Sequence, residues 1–324
     1  MLAVVHQLQP RDHVIAALLV EHRTLTTGQL TAVLFDSPST ARARLYRLRH
    51  LRWVDRFTPV RTGQHRQTYW VAGLLAARYH AVHQGSSAPT PRAWRDRVEA
   101  IAASTHLTHT HGANQVFIDL LAYSRTHPGT QLARWWGPAR TAAAVGQRVH
   151  PDGHGVWAED NDTHGHDGDR QVGFWLEYDT GTEPLARLIG KLDPYARLQA
   201  AGGPDYPVLF HLPGSAREAH LHDLLAHRPQ RPGVIVATTT PTAAATSPDA
   251  LTGPVWLLDG ATTRCCLIDL PSSPGRPGPY HPGPPIADQD PLFLLRQPPP
   301  HDEGQFENEG QFDANGQLVD DVPN

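Results

Sequence analysis

The sequence predicts a mixed α/β protein built in two folded parts and ending in a segment that does not pack. Three observations carry this. Apolar residues recur at helical spacing through residues 10–51, and later give way to short apolar runs alternating with helical segments, the pattern of a layered α/β fold. The stretch Gln84-Gly85-Ser86-Ser87-Ala88-Pro89-Thr90-Pro91 has the composition of a linker between the two parts. Beyond Pro271 the chain turns to Pro and Gly, then to acid.

A chain of 324 residues with 40% hydrophobic content has room for two domains and a sizeable core. No run of about 18 apolar residues occurs, so no membrane span is predicted. Residues 1–10 are too short and too weakly apolar for a signal peptide, and a cytoplasmic location is expected. Cys265 and Cys266 are adjacent, which suits neither a disulfide nor a structural zinc site, so they read as small apolar residues of a buried strand. The net charge of -4 conceals an asymmetry. Residues 1–85 hold eleven Arg against Asp12, Glu21, Asp36 and Asp55, a balance of +7, whereas residues 301–324 hold seven acids and no Lys or Arg. A basic head is the electrostatic footprint of a nucleic-acid partner; the acidic end either competes for that surface or faces away from it.

The first helix is predicted over Pro10 to Arg23, where Val14, Ile15, Leu18 and Leu19 recur behind Pro10 and Asp12. A second spans Thr27 to Phe35, capped by Thr26 or Thr27 and burying Leu30, Val33 and Leu34. The third, about Thr40 to Arg52 with Ser39 as N-cap, turns Leu45, Leu48 and Leu51 inward and keeps its arginines on exposed sides. Trp53 to Phe57 and Gln67 to Val71 read as strands around Thr62-Gly63, a hairpin bearing His65 and two further arginines. Two helices, a basic helix and a basic hairpin predict a winged helix-turn-helix over residues 1–85. Arg42, Arg44, Arg47, Arg49, Arg52, Arg61 and Arg66 would then face double-stranded DNA, the helix on the major groove and the hairpin on phosphate or the minor groove. A solvated amphipathic helix, or a winged helix used for protein contacts, is the alternative.

Gly73 to His83 is a further helix, and residues 86–104 are linker plus a connecting helix from Trp94 to Ser104. His106, His109 and His111 do not share one helical face, so local capping and hydrogen bonding are expected of them rather than a metal site. Asn114 to His127 is helical. Leu132 to Trp136, Val156 to Ala158 and Val172 to Tyr178 are strands, and Glu159 to Arg170 is a hairpin tip rich in Asp, Gly and His. Glu183 to Ala200 is a helix that Pro194 kinks. Tyr206 to His211, Gly233 to Thr239, Val255 to Leu258 and Cys265 to Leu270 are strands, with a helix from Ser215 to His227 among them. Ser272 to Pro285 is not expected to pack, and Leu292 to Leu295 is a brief apolar patch that docks on the domain or on a partner. Gly304-Gln305-Phe306, Gly310-Gln311-Phe312 and Gly316-Gln317-Leu318 repeat loosely within an acidic segment expected to be disordered.

In this order Asp152 stands at the mouth of one strand, Glu177 ends an apolar strand, and Lys191 lies on the following helix. Mg²⁺ takes hard oxygen ligands and keeps several waters, so Asp152 and Glu177 with a substrate phosphate suffice to hold it, Mn²⁺ being a substitute. A cation beside the metal steadies an attacking water or the developing charge. Lys191 is the only lysine among 28 Lys and Arg, and lysine, unlike arginine, is a compact charge whose pKa responds to burial. Asp179 is a further ligand or an orienting acid. Tyr178 and Tyr195 raise a variant in which tyrosine attacks phosphate directly, but no cluster of three histidines on strands accompanies them.

Pro151-Asp152-Gly153, the strand ending Glu177-Tyr178-Asp179 before Thr180-Gly181-Thr182-Glu183, and Lys191-Leu192 with Tyr195 resemble the replication-relaxation family of actinobacterial plasmids and mobile elements, over about residues 10–270. The resemblance implies a winged helix fused to a PD-(D/E)xK nuclease-like domain, a restriction-endonuclease-like αβββαβ core over residues 105–270, followed by the tail at 271–324. It makes Asp152 the motif aspartate and Glu177 the second acid, and it places the helix of His111 and Asn114 beside the sheet as secondary candidates. The usual lysine two residues after Glu177 is replaced by Asp179, so Lys191 is a displaced equivalent or the site is inactive. Two readings follow. One is a DNA-binding protein of plasmid or mobile-element replication or relaxation that cuts or nicks DNA with Mg²⁺ alongside plasmid replication or transfer proteins. The other is a non-catalytic regulator or accessory factor whose nuclease-like domain is a scaffold.

Overall fold

A computed structural model describes residues 6–59, 67–160, 170–227 and 233–296. The expectations for Arg61, His65, Arg66, most of the 159–170 stretch and the glycine repeats past residue 300 lie outside the described residues.

Helix α1 (Pro10–His22) starts with a reciprocal cap in which Gln9 N donates to Asp12 Oδ2 at 2.7 Å. Strand β1 (Leu25–Thr26) runs into α2 (Thr27–Leu34), where Thr26 and Gln29 cap each other in the same way. Helix α3 spans Pro38–His50 and is capped by Ser37 rather than Ser39: Pro38 takes the first helical position, and Ser37 Oγ accepts from Thr40 N at 3.2 Å. β2 (Val54–Phe57) pairs with β3 (Tyr69–Ala72), and β1 adds on the other side of β3. These elements close on Ile15, Leu19, Leu25, Leu45, Trp53 and Trp70, all buried.

After α4 (Leu74–His83) and α5 (Pro91–Ala102) comes α6, Leu107–Thr126, which begins seven residues before the expected start at Asn114. Its first turns carry His109 and His111 on polar sequence, so apolar spacing gives no signal there. α6 joins the two parts. Asn114 Nδ2 donates to His22 O and Thr24 O at 3.3 and 3.1 Å, Gln29 Nε2 donates to His111 O at 3.1 Å, and His22 stacks on Trp135 with ring centroids 3.5 Å apart. One continuous apolar core runs from α1 through α6 into the large sheet.

Among the described residues that sheet has seven strands, numbered β4 to β10 in chain order with the ranges given below and placed β10-β9-β8-β7-β6-β5-β4. β4 (Thr130–Trp136), β5 (Gly153–Glu159) and β6 (Arg170–Tyr178) form an antiparallel meander, with the short helix α7 (Pro138–Ala144), absent from the sequence reading, between β4 and β5. β6, β7 (Val208–His211) and β8 (Val236–Thr239) are parallel. The helix expected between β6 and β7 is two helices, α8 (Leu185–Gly190) and α9 (Leu192–Ala200), and the break falls at Lys191, not at Pro194. Proline lacks an N–H and crowds the carbonyl four residues back, here that of Gly190, so the interruption lands one turn early. α10 (Ser215–Ala226) crosses to β8, and α11 (Pro241–Ala244) follows it. β9 (Trp256–Leu258) and β10 (Arg264–Cys265) end the sheet antiparallel. Cys265 and Cys266 correct the expectation of a buried strand: both are free and only partly buried, because the chain turns into a 3₁₀ segment at Leu267.

Residues 272–296 overturn the expectation that Ser272 to Pro285 does not pack. Arg134 on β4 is completely buried, and its guanidinium donates to Gln289 Oε1 at 2.7 Å, Gly283 O at 2.9 Å and Pro284 O at 2.8 Å. A buried cation needs acceptors, and the Pro/Gly-rich segment provides them through its carbonyls. Leu292 is buried and α12 (Phe293–Arg296) lies against α1, so the start of the apolar patch docks on this chain while Leu294 and Leu295 stay exposed. Among the described residues no helix is long and apolar enough to cross a membrane.

Candidate functional site

Three backbone features bring the predicted acids and the lysine to one place. Asp152 directly precedes β5, and its N–H donates to Leu176 O at 2.9 Å, which fixes it beside the end of β6. Glu177 is next to last in β6, on the sheet face that carries Trp175 and looks toward α8 and α9. Lys191 occupies the break between those helices, where its side chain turns back over the strand end.

Glu177 is 3% exposed and its two oxygens are shared out. Lys191 Nζ lies 3.0 Å from Oε2, and Tyr195 Oη donates to Oε1 at 2.7 Å. Burial first, and the charge of Asp152 second, push the Glu177 carboxyl up to about 7 against the pull of Lys191 and Tyr195. Burial pulls Lys191 down, but Glu177, Asp152 and Glu183, the last at 3.4 Å, outweigh it and hold the amine above its ordinary range. Tyr195 is driven well above the usual phenol by burial and by Glu177, so it stays a donor.

Asp152 is held from the opposite side. Its Oδ2 accepts from Tyr178 N at 2.8 Å and lies 3.2 Å from His109 Nε2, and that bond raises the His109 pKa. Tyr178 packs edge-on to His109 and stacks on His211 at 5.2 Å. A Cβ on Gly112 would sit 2.2 Å from the Tyr178 ring, so only glycine lets α6 approach that closely.

Asp179 does not join this group. It is 4% exposed, pairs with the Arg217 guanidinium and accepts from Gly181 N at 2.9 Å, which makes it the anchor of the turn after β6. His111 and Asn114 also lie elsewhere, at the contact between α6 and the N-terminal elements. His109 and Glu183 are members not expected at the site, and Tyr195, weighed above only as a direct attacker of phosphate, is instead a donor to Glu177. For His109 the signal was its position two residues before His111 in an unrecognised helical turn; for Tyr195 it was the i, i+4 relation to Lys191. Among the described residues no cluster of three or more His, Cys, Asp and Glu is arranged to hold a metal.

The basic helix divides in two. Arg42, Arg47 and Arg49 are exposed on it, with Arg49 sharing Asp55 at 3.1 Å; Arg52 is exposed too, but the helix ends at His50, two residues before it, and not at Arg52 as expected. Arg44 corrects the expectation of an exposed side: it is 13% exposed and clamped to the fully buried Asp12, tying α3 to α1. Arg56 packs over the Tyr46 ring and donates to its hydroxyl at 2.6 Å.

Fold and site define a mixed α/β protein with a basic helical head and a cluster of two carboxylates, a lysine and a tyrosine at the ends of central strands. Residues 17–207 match the family described as Replication-relaxation, more than half of the chain, and the protein belongs to the replication-relaxation family. No curated protein and no solved structure matches it.

Proposed function

We propose that the protein binds double-stranded DNA in plasmid or mobile-element replication or relaxation and nicks or cuts it through a Mg²⁺-assisted site. The observation that carries this is the meeting of Lys191 with Glu177 beside Asp152: the chain's only lysine pairs with the second acid, although Asp179 holds the usual lysine position two residues after it. In this reading the N-terminal elements are a winged helix-turn-helix, α6 to β8 hold a PD-(D/E)xK-like core, and the exposed arginines of α3 take phosphate and base edges.

The donor set fits Mg²⁺: two hard carboxylates, one of them raised by the other's charge, would be relieved by a dication. Asp152 and Glu177 would hold it. Bound Mg²⁺ supplies Lewis acidity and a lowered pKa for a coordinated water. Lys191 carries a positive charge that stabilises a developing phosphorane oxygen, and Tyr195 and His109 fix the two carboxylates from opposite sides. Tyr195 points its proton at Glu177, which speaks against a direct tyrosine attack.

A second reading has one observation of its own. Both Glu177 oxygens already have partners and Asp179 is locked to Arg217, as in a scaffold that has kept the fold and serves a regulator or accessory factor. Supercoiled plasmid incubated with the protein and Mg²⁺ or Mn²⁺ separates the two. Nicking that disappears in Asp152→Ala and Lys191→Ala while a gel shift persists supports the nuclease; a gel shift without metal-dependent nicking supports the scaffold.

A further inference from the structure

The face of α3 carries more positive charge than its surroundings neutralise. Arg47 on the helix and Arg52 in the turn just past its C-terminal end are exposed and meet no carboxylate among the described residues. Among the described residues Arg42 donates only to the Pro38 carbonyl, at 3.1 Å, and Arg49 remains 47% exposed beside Asp55. The far end of the chain carries the complement: the 28 residues after Arg296 hold seven carboxylates and no Lys or Arg.

The two are joined by where the described chain stops. Arg296 pairs with Asp290 at 3.1 Å and reaches Ser124 Oγ at 3.3 Å, near the C-terminal end of α6. The next residue of α6, Arg125, donates to Phe35 O at 2.9 Å and pairs with Asp36, directly before the α3 cap Ser37. The described chain thus stops at a residue linked through the end of α6 to the N-terminal end of the basic helix. Its 28 residues span up to about 90 Å when extended, several times the roughly 20 Å length of α3.

We infer that the acidic stretch between Asp302 and Asp321 occupies the exposed arginine face of α3 as an internal stand-in for nucleic-acid phosphate. What it displaces rests on the DNA-binding reading above; the contact itself does not. The tether holds the segment at an effective concentration on the order of millimolar, so a weak ionic contact suffices to compete. Duplex DNA presents one charge per about 1.7 Å of axis, far denser than the segment, so the segment lowers affinity without abolishing binding. Both contacts use the same cations and both weaken with salt.

Two full-length chains test this, the natural one and one whose seven acids are replaced by their amides. Titration of a fluorescent duplex at about 50 mM salt is expected to show the amide chain binding about tenfold tighter, with the gap closing above about 300 mM. In ¹⁵N-labelled natural protein, the Gly304, Gly310 and Gly316 amide resonances are expected to shift when Arg47→Ser and Arg52→Ser are introduced together. Unshifted resonances overturn the placement on α3 even if the amide chain binds tighter, since general repulsion of DNA then accounts for the gain. Shifts with equal affinities overturn the competition. If neither chain binds duplex while the resonances still respond, the DNA-binding reading falls and the contact stands.

Discussion

Glu177 and Asp179 stand two residues apart at the end of β6, both buried and each beside a cation, and what surrounds each pair differs. Asp179 meets an arginine that also donates to Glu183 O, and its second oxygen takes a backbone N–H, so every direction around it is filled by the fold. Glu177 meets the lone lysine, a buried tyrosine and the field of a second carboxylate. Burial and an ion pair are common to the two. What sets Glu177 apart is the charge of Asp152 added to its burial, which together raise its carboxyl to about 7; on the nuclease reading proposed above, that leaves it responsive to a cation.

Replacing each cation sharpens that contrast most. Arg217→Ala strands a buried carboxylate and is expected to cost about 3–5 kcal/mol, read as a fall in the urea midpoint. Lys191→Ala leaves Glu177 free to take up a proton, which it holds to about 7 already, so the expected loss of stability is only about 1–2 kcal/mol. Metal-dependent nicking, by contrast, is expected to fall about 10²–10³-fold in Lys191→Ala. Equal losses of stability in the two variants would erase the distinction.

Gly112→Ala asks whether Asp152 is held as firmly as Asp179. The added methyl collides with the Tyr178 ring, whose backbone N–H and stacked neighbours position Asp152 and His109. An overpacking cost of about 1–3 kcal/mol is expected in thermal unfolding, with nicking reduced as well. Unchanged stability would mean that the ring has room to swing away and that α6 does not brace the site.

Acid should act on the two sides of the sheet end in opposite directions. Burial lowers His22 well below 6.5, His154 to about 3 and His211 to about 4. For each the unfolded chain binds more protons below about pH 6.5, so stability present above that pH is lost as pH falls toward 4. Glu177 runs the other way: its folded pKa is raised, so its contribution is full below the ordinary carboxyl range and is lost as pH rises through about 7. Among the described residues His211 Nδ1 is buried without a hydrogen-bond partner, so His211→Phe removes the titrating ring while keeping an aromatic face on Tyr178. The variant is expected to recover on the order of 2 kcal/mol of the loss between pH 7 and 4 in urea unfolding. An unchanged slope would mean that His211 is hydrated and titrates normally.

Element types and most of the site were legible because they depend on local pattern. Val14 to Leu19, Leu45 with Leu48, and the apolar run into Glu177 each declare which side is buried, and a lone lysine after that run stands out by composition alone. What was not legible depended on partners remote in sequence. Nothing near Arg44 says that Asp12 takes it inward, nothing near Asp179 announces Arg217, and nothing in Pro/Gly-rich 272–285 reveals that the buried Arg134 needs its carbonyls. The first turns of α6 were missed for a different reason: their polar face packs on tyrosines and a carboxylate rather than on aliphatic side chains.

The arginines of α3 divide as the acids of β6 are divided. Arg44 is spent on the fully buried Asp12, so Arg44→Ser strands that carboxylate and is expected to lower stability by about 3–5 kcal/mol, as Arg217→Ala does, and to leave the salt dependence of DNA binding unchanged. Arg47 is exposed and unpaired among the described residues, so Arg47→Ser should leave the unfolding midpoint where it is. Its effect belongs to the complex: affinity for every duplex falls by a similar few-fold factor, and the slope of log K against log salt drops by about one, the signature of one lost phosphate contact. A loss confined to one DNA sequence would instead place Arg47 on a base edge, and a slope unmoved by Arg47→Ser but reduced by Arg44→Ser would require the ion pair with Asp12 to open on binding.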